Sequence, residues 1–192
     1  METKKQIRKR MLQYRDALAE DERYRLSDLI AEKLYTKDIY RNAKTILLFA
    51  SYKSEVDTFG IFRQAIYDGK HVFFPRCTGK EMSFYEVTSA SELSEGYMGI
   101  LEPEPSVEKL FTDFEDENVL MIMPGAVFDM ECNRIGYGGG FYDRFLAGGY
   151  AGKTVAIGYD CQLLRDNKIP AEDTDVKPDY ILTDCCMIAS NS

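Results

Sequence analysis

A glycine-rich segment in the second half of the chain carries residue types that bind phosphate groups. Residues 124–129 read Pro-Gly-Ala-Val-Phe-Asp, and residues 134–143 read Arg-Ile-Gly-Tyr-Gly-Gly-Gly-Phe-Tyr-Asp. Glycine allows backbone amides to approach an anion closely, and the guanidinium of Arg134 is a forked donor for phosphoryl oxygens. The segment therefore predicts a phosphate-binding loop, with Asp143 suited to hold a counter-cation.

The spacing of the glycines excludes the two best-known phosphate loops. A dinucleotide fingerprint would need a third glycine at Phe141 or Asp143, and a Walker A motif ending at Thr154 would need its first glycine at Ala147. A flexible surface turn is the alternative interpretation of such a glycine run. The flanking Arg134 and Asp143 favour phosphate binding over a plain turn.

Length and composition restrict the class of protein. At 192 residues the chain can bury a substantial core as one domain, which we expect to cover residues 1–192. A net charge of −8 would repel a phosphate backbone or an anionic bilayer, so we expect no nucleic-acid and no membrane partner. Five cysteines without a CxxC pair and a single histidine argue against zinc and predict reduced thiols. No segment approaches the ~20 apolar residues that span a bilayer, so a cytoplasmic location is expected.

Hydrophobic periodicity predicts two amphipathic helices at the start of the chain. Their apolar positions are Ile7, Met11, Tyr14 and Leu18 in the first helix, and Leu26, Leu29, Ile30 and Leu34 in the second. A third helix is predicted between a cap at Asp57-Thr58 and a stop at Gly69.

Short apolar or alternating runs predict the strands of a sheet. They cover residues 45–50, 71–75, 82–87, 119–123, 154–159 and 180–183, whereas residues 99–118 are expected to form a connecting loop. Because strands are interleaved with helical stretches, we expect an α/β fold with a mostly parallel sheet covered on both faces. Ligands bind such a sheet beyond the carboxyl ends of its strands, and the glycine loop follows one of those ends.

Taken together, these segments resemble the 5-formyltetrahydrofolate cyclo-ligases, also called methenyltetrahydrofolate synthetases. The resemblance is carried by residues 123–129 and 134–143 and is supported by matches at residues 4–8, 51–58, 74–76 and 175–179. It implies a single-domain three-layer α/β/α sandwich. It also implies ATP- and Mg²⁺-dependent conversion of 5-formyltetrahydrofolate to 5,10-methenyltetrahydrofolate.

The reaction implied by the resemblance requires an activated formyl group. The oxygen of an N-formyl group is a poor leaving group, so it first attacks the γ-phosphate of ATP; N10 then closes the ring and phosphate leaves. Catalysis of such a transfer is mainly positioning and charge neutralisation, which cations, backbone amides and a metal supply. Arg134 and Tyr142 are the residues expected to act on the reacting groups.

The resemblance also implies binding roles for individual residues. For ATP these are Lys4, Lys5 and Arg8 in the first helix and, in the loop, Arg134, Ile135, Gly136, Tyr137, Gly138, Gly139, Gly140, Phe141 and Tyr142. For the folate they are Ala50 and Glu55, together with Tyr137, Gly138, Gly139, Gly140 and Phe141. Asp143 and Asp175 match carboxylates that bind magnesium.

Each of these assignments has a simpler alternative. Lys4 and Arg8 are also what a solvated basic helix would carry. Glu55 alone would be read as an ordinary loop acid before a helix. Asp143 and Asp175 are far apart in sequence, and their spacing does not distinguish magnesium ligands from surface charges.

Two other classes of function stay open at the level of sequence. One is a module that binds nucleotide or folate without turnover, and the other is a phosphotransferase acting on a different small molecule. Phe141 replaces a tyrosine common in the family, and the chain has no tryptophan to stack on folate, so the aromatic side of the pocket is unassigned. His71 in its apolar strand is expected to be packed or edge-exposed instead of acting as a base. A monomer is the expected state.

Overall fold

The computed structural model describes residues 2–172 and 174–190, and the three predicted helices lie close to their expected positions. The short helices Asp38–Arg41 and Phe141–Leu146 were not predicted. In chain order the helices are α1 (Lys4–Asp16), α2 (Glu20–Tyr35), α3 (Asp38–Arg41), α4 (Phe59–Tyr67) and α5 (Phe141–Leu146). A capping box starts α1, because the Thr3 hydroxyl accepts from the Gln6 amide while the Gln6 side chain accepts from the Thr3 amide. Within the described residues, no helix is long and apolar enough to cross a membrane.

The buried face of α1 differs from the predicted one at its C-terminal end. Ile7 and Met11 are buried as expected, but Tyr14 is 54% exposed and Arg15 is buried in its place. The helix ends at Asp16, so Leu18 packs against the core from the following turn. Tyr14 and Arg15 lie three and four residues beyond Met11, so both are near the same face of the helix. Arg15 is the buried one because it has polar partners there.

The described strands form one large sheet and two small ones. In chain order they are β1 (Thr45–Leu48), β2 (His71–Thr78), β3 (Glu81–Glu86), β4 (Leu93–Glu95), β5 (Leu101–Pro103), β6 (Val119–Met123), β7 (Val127–Asp129), β8 (Arg134–Ile135), β9 (Lys153–Ile157), β10 (Leu163–Leu164), β11 (Tyr180–Leu182) and β12 (Met187–Ala189). The large sheet has the order β12-β11-β9-β6-β1-β2-β3. Its five inner strands are parallel and its two edge strands are antiparallel, which confirms the predicted α/β class with a mostly parallel sheet.

Both faces of this sheet are covered, as expected for a parallel sheet. On β1, Ile46 and Leu48 pack with residues of α2 and α4, while Leu47 belongs to a second cluster that includes Phe145 of α5. Alternate residues of a strand point to opposite faces, so one short strand joins two cores. The layers therefore run helix, sheet, helix.

Several short elements were not predicted because two or three residues are too few to show a period. The strands β7, β8 and β10 form a small sheet beside α1, and β4 pairs with β5. The predicted loop at residues 99–118 is partly wrong, since it contains β5 and a 3₁₀ turn at Val107–Lys109. His71 is exposed at the start of β2, where its Nδ1 lies 2.6 Å from Glu86 Oε1.

Candidate active site

A small, largely closed cleft of about 160 Å³ lies at the carboxyl ends of β1, β6 and β9. Residues that line it are Arg15, Phe49, Glu55, Val56, Pro124, Gly125, Ile157 and Gln162. The Gln162 side chain donates to the carbonyls of Gly125 and Ala126, which fixes the turn that follows β6. This is the edge of a parallel sheet at which ligands bind.

The glycine loop borders this cleft between β8 and α5. Gly138 and Gly140 have φ values of 99° and 63°, which side chains rarely adopt. At Gly139 a Cβ would lie 2.6 Å from the ring of Phe141, so the tight path also depends on the absence of a side chain. The loop thus follows a backbone path that requires glycine next to the start of α5, which is consistent with the predicted phosphate-binding loop.

Arg134 lies under this loop and is almost fully buried, with 4% of its side chain exposed. Its Nη2 donates to Asp143 Oδ1 at 3.1 Å, its Nη1 donates to the Pro124 carbonyl at 3.3 Å, and its guanidinium lies 5.7 Å from the ring centroid of Tyr142. Its Nε is buried without a hydrogen-bond partner among the described residues. A buried donor without an acceptor costs about 1–3 kcal/mol, and the site would recover this cost if a ligand oxygen came within reach.

Helix α1 brings basic side chains to the same loop. Arg8 Nε donates to the Gly136 carbonyl at 2.7 Å, and its guanidinium lies against Gly138. Lys4, one turn earlier on the same face, pairs with Asp175 at 2.5 Å and Glu172 at 3.2 Å. Lys5 is exposed on a different face of the helix. The structure therefore brings Lys4 and Arg8 to the site side of α1.

Asp143 and Asp175 lie on neighbouring segments, although 32 positions separate them in sequence (175 − 143). Asp143 Oδ1 accepts from the Val176 amide at 3.3 Å as well as from Arg134. Asp175 is paired with Lys4. In the part of the chain that the structure describes, no three His, Cys, Asp or Glu side chains form a metal-binding group. A magnesium ion here would therefore take its other ligands from water or a phosphate, which Mg²⁺ commonly does.

Glu55 lies in the loop after β1 and is partly buried beside the glycine loop. Its Oε2 accepts from the Tyr52 amide at 2.9 Å. Burial raises the pKa of Glu55, while the Tyr137 hydroxyl, the Tyr52 amide and the charge of Arg15 act to lower it. Ala50, also assigned to the folate, is buried just beyond the end of β1.

Two aromatic residues of the loop are placed differently with respect to solvent. Tyr137 is 48% exposed, whereas Tyr142 is partly buried near Arg134. Burial raises the pKa of both hydroxyls, and the negative charge of Glu55 adds to this effect. Both phenols therefore stay protonated near neutral pH and act as hydrogen-bond donors.

Sequence reasoning missed two residues that organise the site. Arg15 is 5% exposed and donates to Ser54 and to the Tyr137 hydroxyl. Tyr159 is 1% exposed, and its hydroxyl bonds to Ser27 at 3.0 Å and to the Glu55 carbonyl at 3.1 Å. A buried arginine such as Arg15 gives no hydrophobic signal, and Tyr159 fits the pattern of a strand end. Neither pattern indicates a role in the site.

The fold is that of an α/β protein in which a glycine loop, a basic helix and the carboxyl ends of parallel strands lie next to one another. Comparison with known proteins narrows this class. The sequence profile of the 5-formyltetrahydrofolate cyclo-ligase family matches residues 1–184. The chain therefore belongs to this family, which confirms the predicted resemblance and the enzyme class.

Individual relatives agree with the family match along most of the chain. The 5-formyltetrahydrofolate cyclo-ligase of Mus musculus is 30% identical over 192 residues, covering 93% of this chain and 92% of the relative. That of Escherichia coli K12 is 30% identical over 176 residues, covering 89% and 94%. The solution structure of 5,10-methenyltetrahydrofolate synthetase from Aquifex aeolicus superimposes with a TM-score of 0.84 at 30% identity, covering 98% of this chain and 93% of that one.

Proposed function

We propose that this protein converts 5-formyltetrahydrofolate to 5,10-methenyltetrahydrofolate with consumption of ATP and a requirement for Mg²⁺. The observation that carries the proposal is Arg134, whose buried Nε has no acceptor among the described residues and lies beneath the glycine loop. A carboxylate suited to a pterin, Glu55, lines the neighbouring cleft together with Arg15, which contacts Tyr137 of the glycine loop. One site then serves both the phosphate donor and the folate.

The phosphates of ATP are assigned to the basic face of α1 and to the glycine loop. Arg8 already contacts the loop, and its charge, with that of Lys4, offsets the charge of a triphosphate. The amides of Gly138, Gly139 and Gly140 supply donors without side-chain obstruction. The remaining proposed nucleotide contacts are at the edges of the α1 face and the glycine loop, and they are Lys5, Ile135 and Gly136.

The folate is assigned to the cleft beside the loop after β1. The amino and ring N–H groups of a pterin form a donor pair that one carboxylate can accept, and Glu55 is the carboxylate that lines this cleft. The Tyr52 amide orients Glu55 from behind. Ala50, which is buried just beyond β1, is assigned to the folate beside Glu55, and Tyr137 and Phe141 flank the loop side.

Catalysis is assigned to groups that neutralise charge on the transferring phosphoryl. Arg134 supplies a fixed, desolvated guanidinium, and Tyr142 supplies a phenol that its surroundings keep protonated. Asp143 and Asp175 are proposed to hold the magnesium ion, which when bound neutralises phosphate charge. The formyl oxygen is the acceptor and N10 the nucleophile of ring closure, so the protein needs no covalent nucleophile.

The experiment that tests this function combines product formation with phosphate release. ATP and 5-formyltetrahydrofolate should give the near-ultraviolet absorbance of a methenyl folate and an equal amount of ADP. The matched control is tetrahydrofolate, which lacks the formyl oxygen and should not stimulate ATP use. Phosphate release independent of the formyl group would indicate a phosphotransferase or an ATPase, and binding without turnover would indicate a non-catalytic module. We further propose a cytoplasmic monomer.

A further inference from the structure

We propose that Arg15 is a positioning residue of the folate site, which joins the glycine loop to the loop that carries Glu55 and keeps both in the binding geometry. This inference rests on the proposed function. Arg15 lies at the end of α1, one residue beyond the position that periodicity predicts to be buried.

The contacts of Arg15 extend to both loops. Its Nη1 donates to the Tyr137 hydroxyl at 2.5 Å, and its guanidinium carbon lies 5.8 Å from the centroid of the same ring. Its Nε donates to Ser54 Oγ at 3.0 Å, and Ser54 in turn bonds to Asp16. Ser54 directly precedes Glu55 in the chain. The planar side chain of Arg15 therefore links both the segment of Glu55 and the glycine loop to α1.

Burying the Arg15 guanidinium between the two loops has a free-energy cost, which a role in the site would explain. Arg15 is 5% exposed, and burial of a guanidinium is unfavourable without matched partners. Among the described residues, its ion-pair partner within 4 Å is Asp16 Oδ1, which lies 3.6 Å away and is itself 59% exposed, so the charge of Glu55 acts on Arg15 only at longer range. The remaining partners are a serine and a tyrosine of the two site loops, and Arg15 itself lines the cleft together with Glu55.

Arg15 also affects the ionisation of Glu55. The groups that act on this carboxyl are Arg15 of α1, Tyr137 of the glycine loop, and the amide of Tyr52; the phenol of Tyr142 in α5 interacts with it as well. Arg15 is the cation among them. Without its charge the pKa of Glu55 would rise further, and the carboxylate needed for the pterin would be lost as the pH falls through that raised pKa.

The test uses steady-state kinetics of the full chain with two substitutions of Arg15. For Arg15→Gln we expect the KM for 5-formyltetrahydrofolate to rise at least about tenfold, with the KM for ATP changed less than about threefold. The folate KM of this variant should rise more steeply than that of the wild-type protein as the pH falls, and adding Glu55→Gln should remove that dependence. Arg15→Lys keeps the charge and should raise the folate KM without the new pH dependence.

Two controls separate positioning from general damage. Arg10→Gln removes an arginine of the same helix whose described partners are Glu2, Met11 and Tyr14, and it should leave both KM values unchanged. Tyr137→Phe removes the hydroxyl that Arg15 binds, so the effects of Arg15→Gln and Tyr137→Phe on the folate KM should be less than additive. Circular dichroism of each variant reports folding, and Arg15→Lys serves if Arg15→Gln does not fold.

The outcomes distinguish this inference from the proposed function. If the wild-type protein forms the methenyl product and both Arg15 variants keep a folate KM within about twofold of it, Arg15 is structural only. Equal rises in the KM for folate and for ATP would also overturn the inference. If direct titration shows that the wild-type protein does not bind 5-formyltetrahydrofolate, the proposed function fails and the inference fails with it.

Discussion

The guanidinium of Arg134 illustrates how single residues set the chemistry of this site. Two of its nitrogens are used by Asp143 and the Pro124 carbonyl, its plane lies near the Tyr142 ring, and its Nε points to no acceptor among the described residues. A lysine would supply the charge but neither the planar fork nor the contact with the aromatic ring. The role of Arg134 can therefore be tested without removing its charge.

For Arg134→Lys we expect a loss of turnover that corresponds to about 2–4 kcal/mol of transition-state stabilisation, because a preorganised donor is removed. The effect should appear mainly in kcat for methenyl formation. The matched control is Arg165→Lys, another arginine paired with an aspartate but half-exposed. A kcat close to that of the wild-type protein would move Arg134 to a structural role.

The carboxylate of Asp143 is expected to support magnesium binding. Asp143→Asn keeps the shape and removes the anionic oxygen that a hard cation prefers, so the Mg²⁺ concentration for half-maximal activity should rise by about tenfold or more. Asp113→Asn, at an exposed position, is the control. The thermal midpoint should be recorded in parallel, since Asp143 also pairs with Arg134. An unchanged titration at full activity would exclude Asp143 as a ligand.

At the scale of elements, the loop after β1 is fixed by hydrogen bonds from three directions. The Thr58 hydroxyl donates to the Phe49 carbonyl across the base of the loop, the Asp57 amide donates to Ser27 of α2, and the Tyr159 hydroxyl bonds to the Glu55 carbonyl. These bonds cross from the loop to α2 and to the segment after β9. The loop that presents Glu55 is thus held by the two elements beside it.

Tyr159→Phe removes the hydroxyl that joins Ser27 to the Glu55 carbonyl. We expect the free energy of unfolding to fall by about 1–2 kcal/mol and the folate KM to rise several-fold, with little change for ATP. Chemical denaturation and steady-state titrations measure the two effects. Tyr67→Phe, at a tyrosine that is 86% exposed, should change neither. A larger effect on ATP than on folate would contradict the proposed role of the loop.

At the scale of the whole molecule, charge and packing are distributed unevenly. The chain has a net charge of −8, yet Arg8 and Arg134 lie against the glycine loop and Arg15 lines the neighbouring cleft. This arrangement favours an anionic ligand at one place on an otherwise acidic surface.

The central strand β1 lies between both cores, so the two faces of the sheet should unfold together.

Leu47→Ala tests this cooperativity, because Leu47 is fully buried on the face opposite to Ile46 and Leu48. We expect a loss of about 2–5 kcal/mol in the free energy of unfolding. Far-ultraviolet circular dichroism and tyrosine fluorescence should still follow one coincident transition in urea. Val107→Ala, at a 90% exposed position, should change stability by less than about 0.5 kcal/mol. Two separate transitions would contradict the prediction of one domain.

The sequence by itself determined the features that depend on local residue type. The run at residues 119–123 predicted β6 with its observed bounds, the glycines predicted the loop, and the order of elements predicted a mostly parallel sheet. These predictions succeeded because strand and turn preferences are set by neighbouring residues. The residues assigned to ligands stay predictions, although Arg8, Arg134 and Glu55 do lie around one cleft and loop.

Only the tertiary structure decided which distant residues meet. Asp143 and the segment of Asp175 come together through the Val176 amide, and Arg15 replaces Tyr14 on the inner face of α1 because Ser54 and Tyr137 receive its hydrogen bonds. Those partners lie 39 and 122 positions away along the chain, so no periodicity within the helix could reveal them. A polar side chain is buried where the rest of the fold provides its partners, and that information is absent from any local segment.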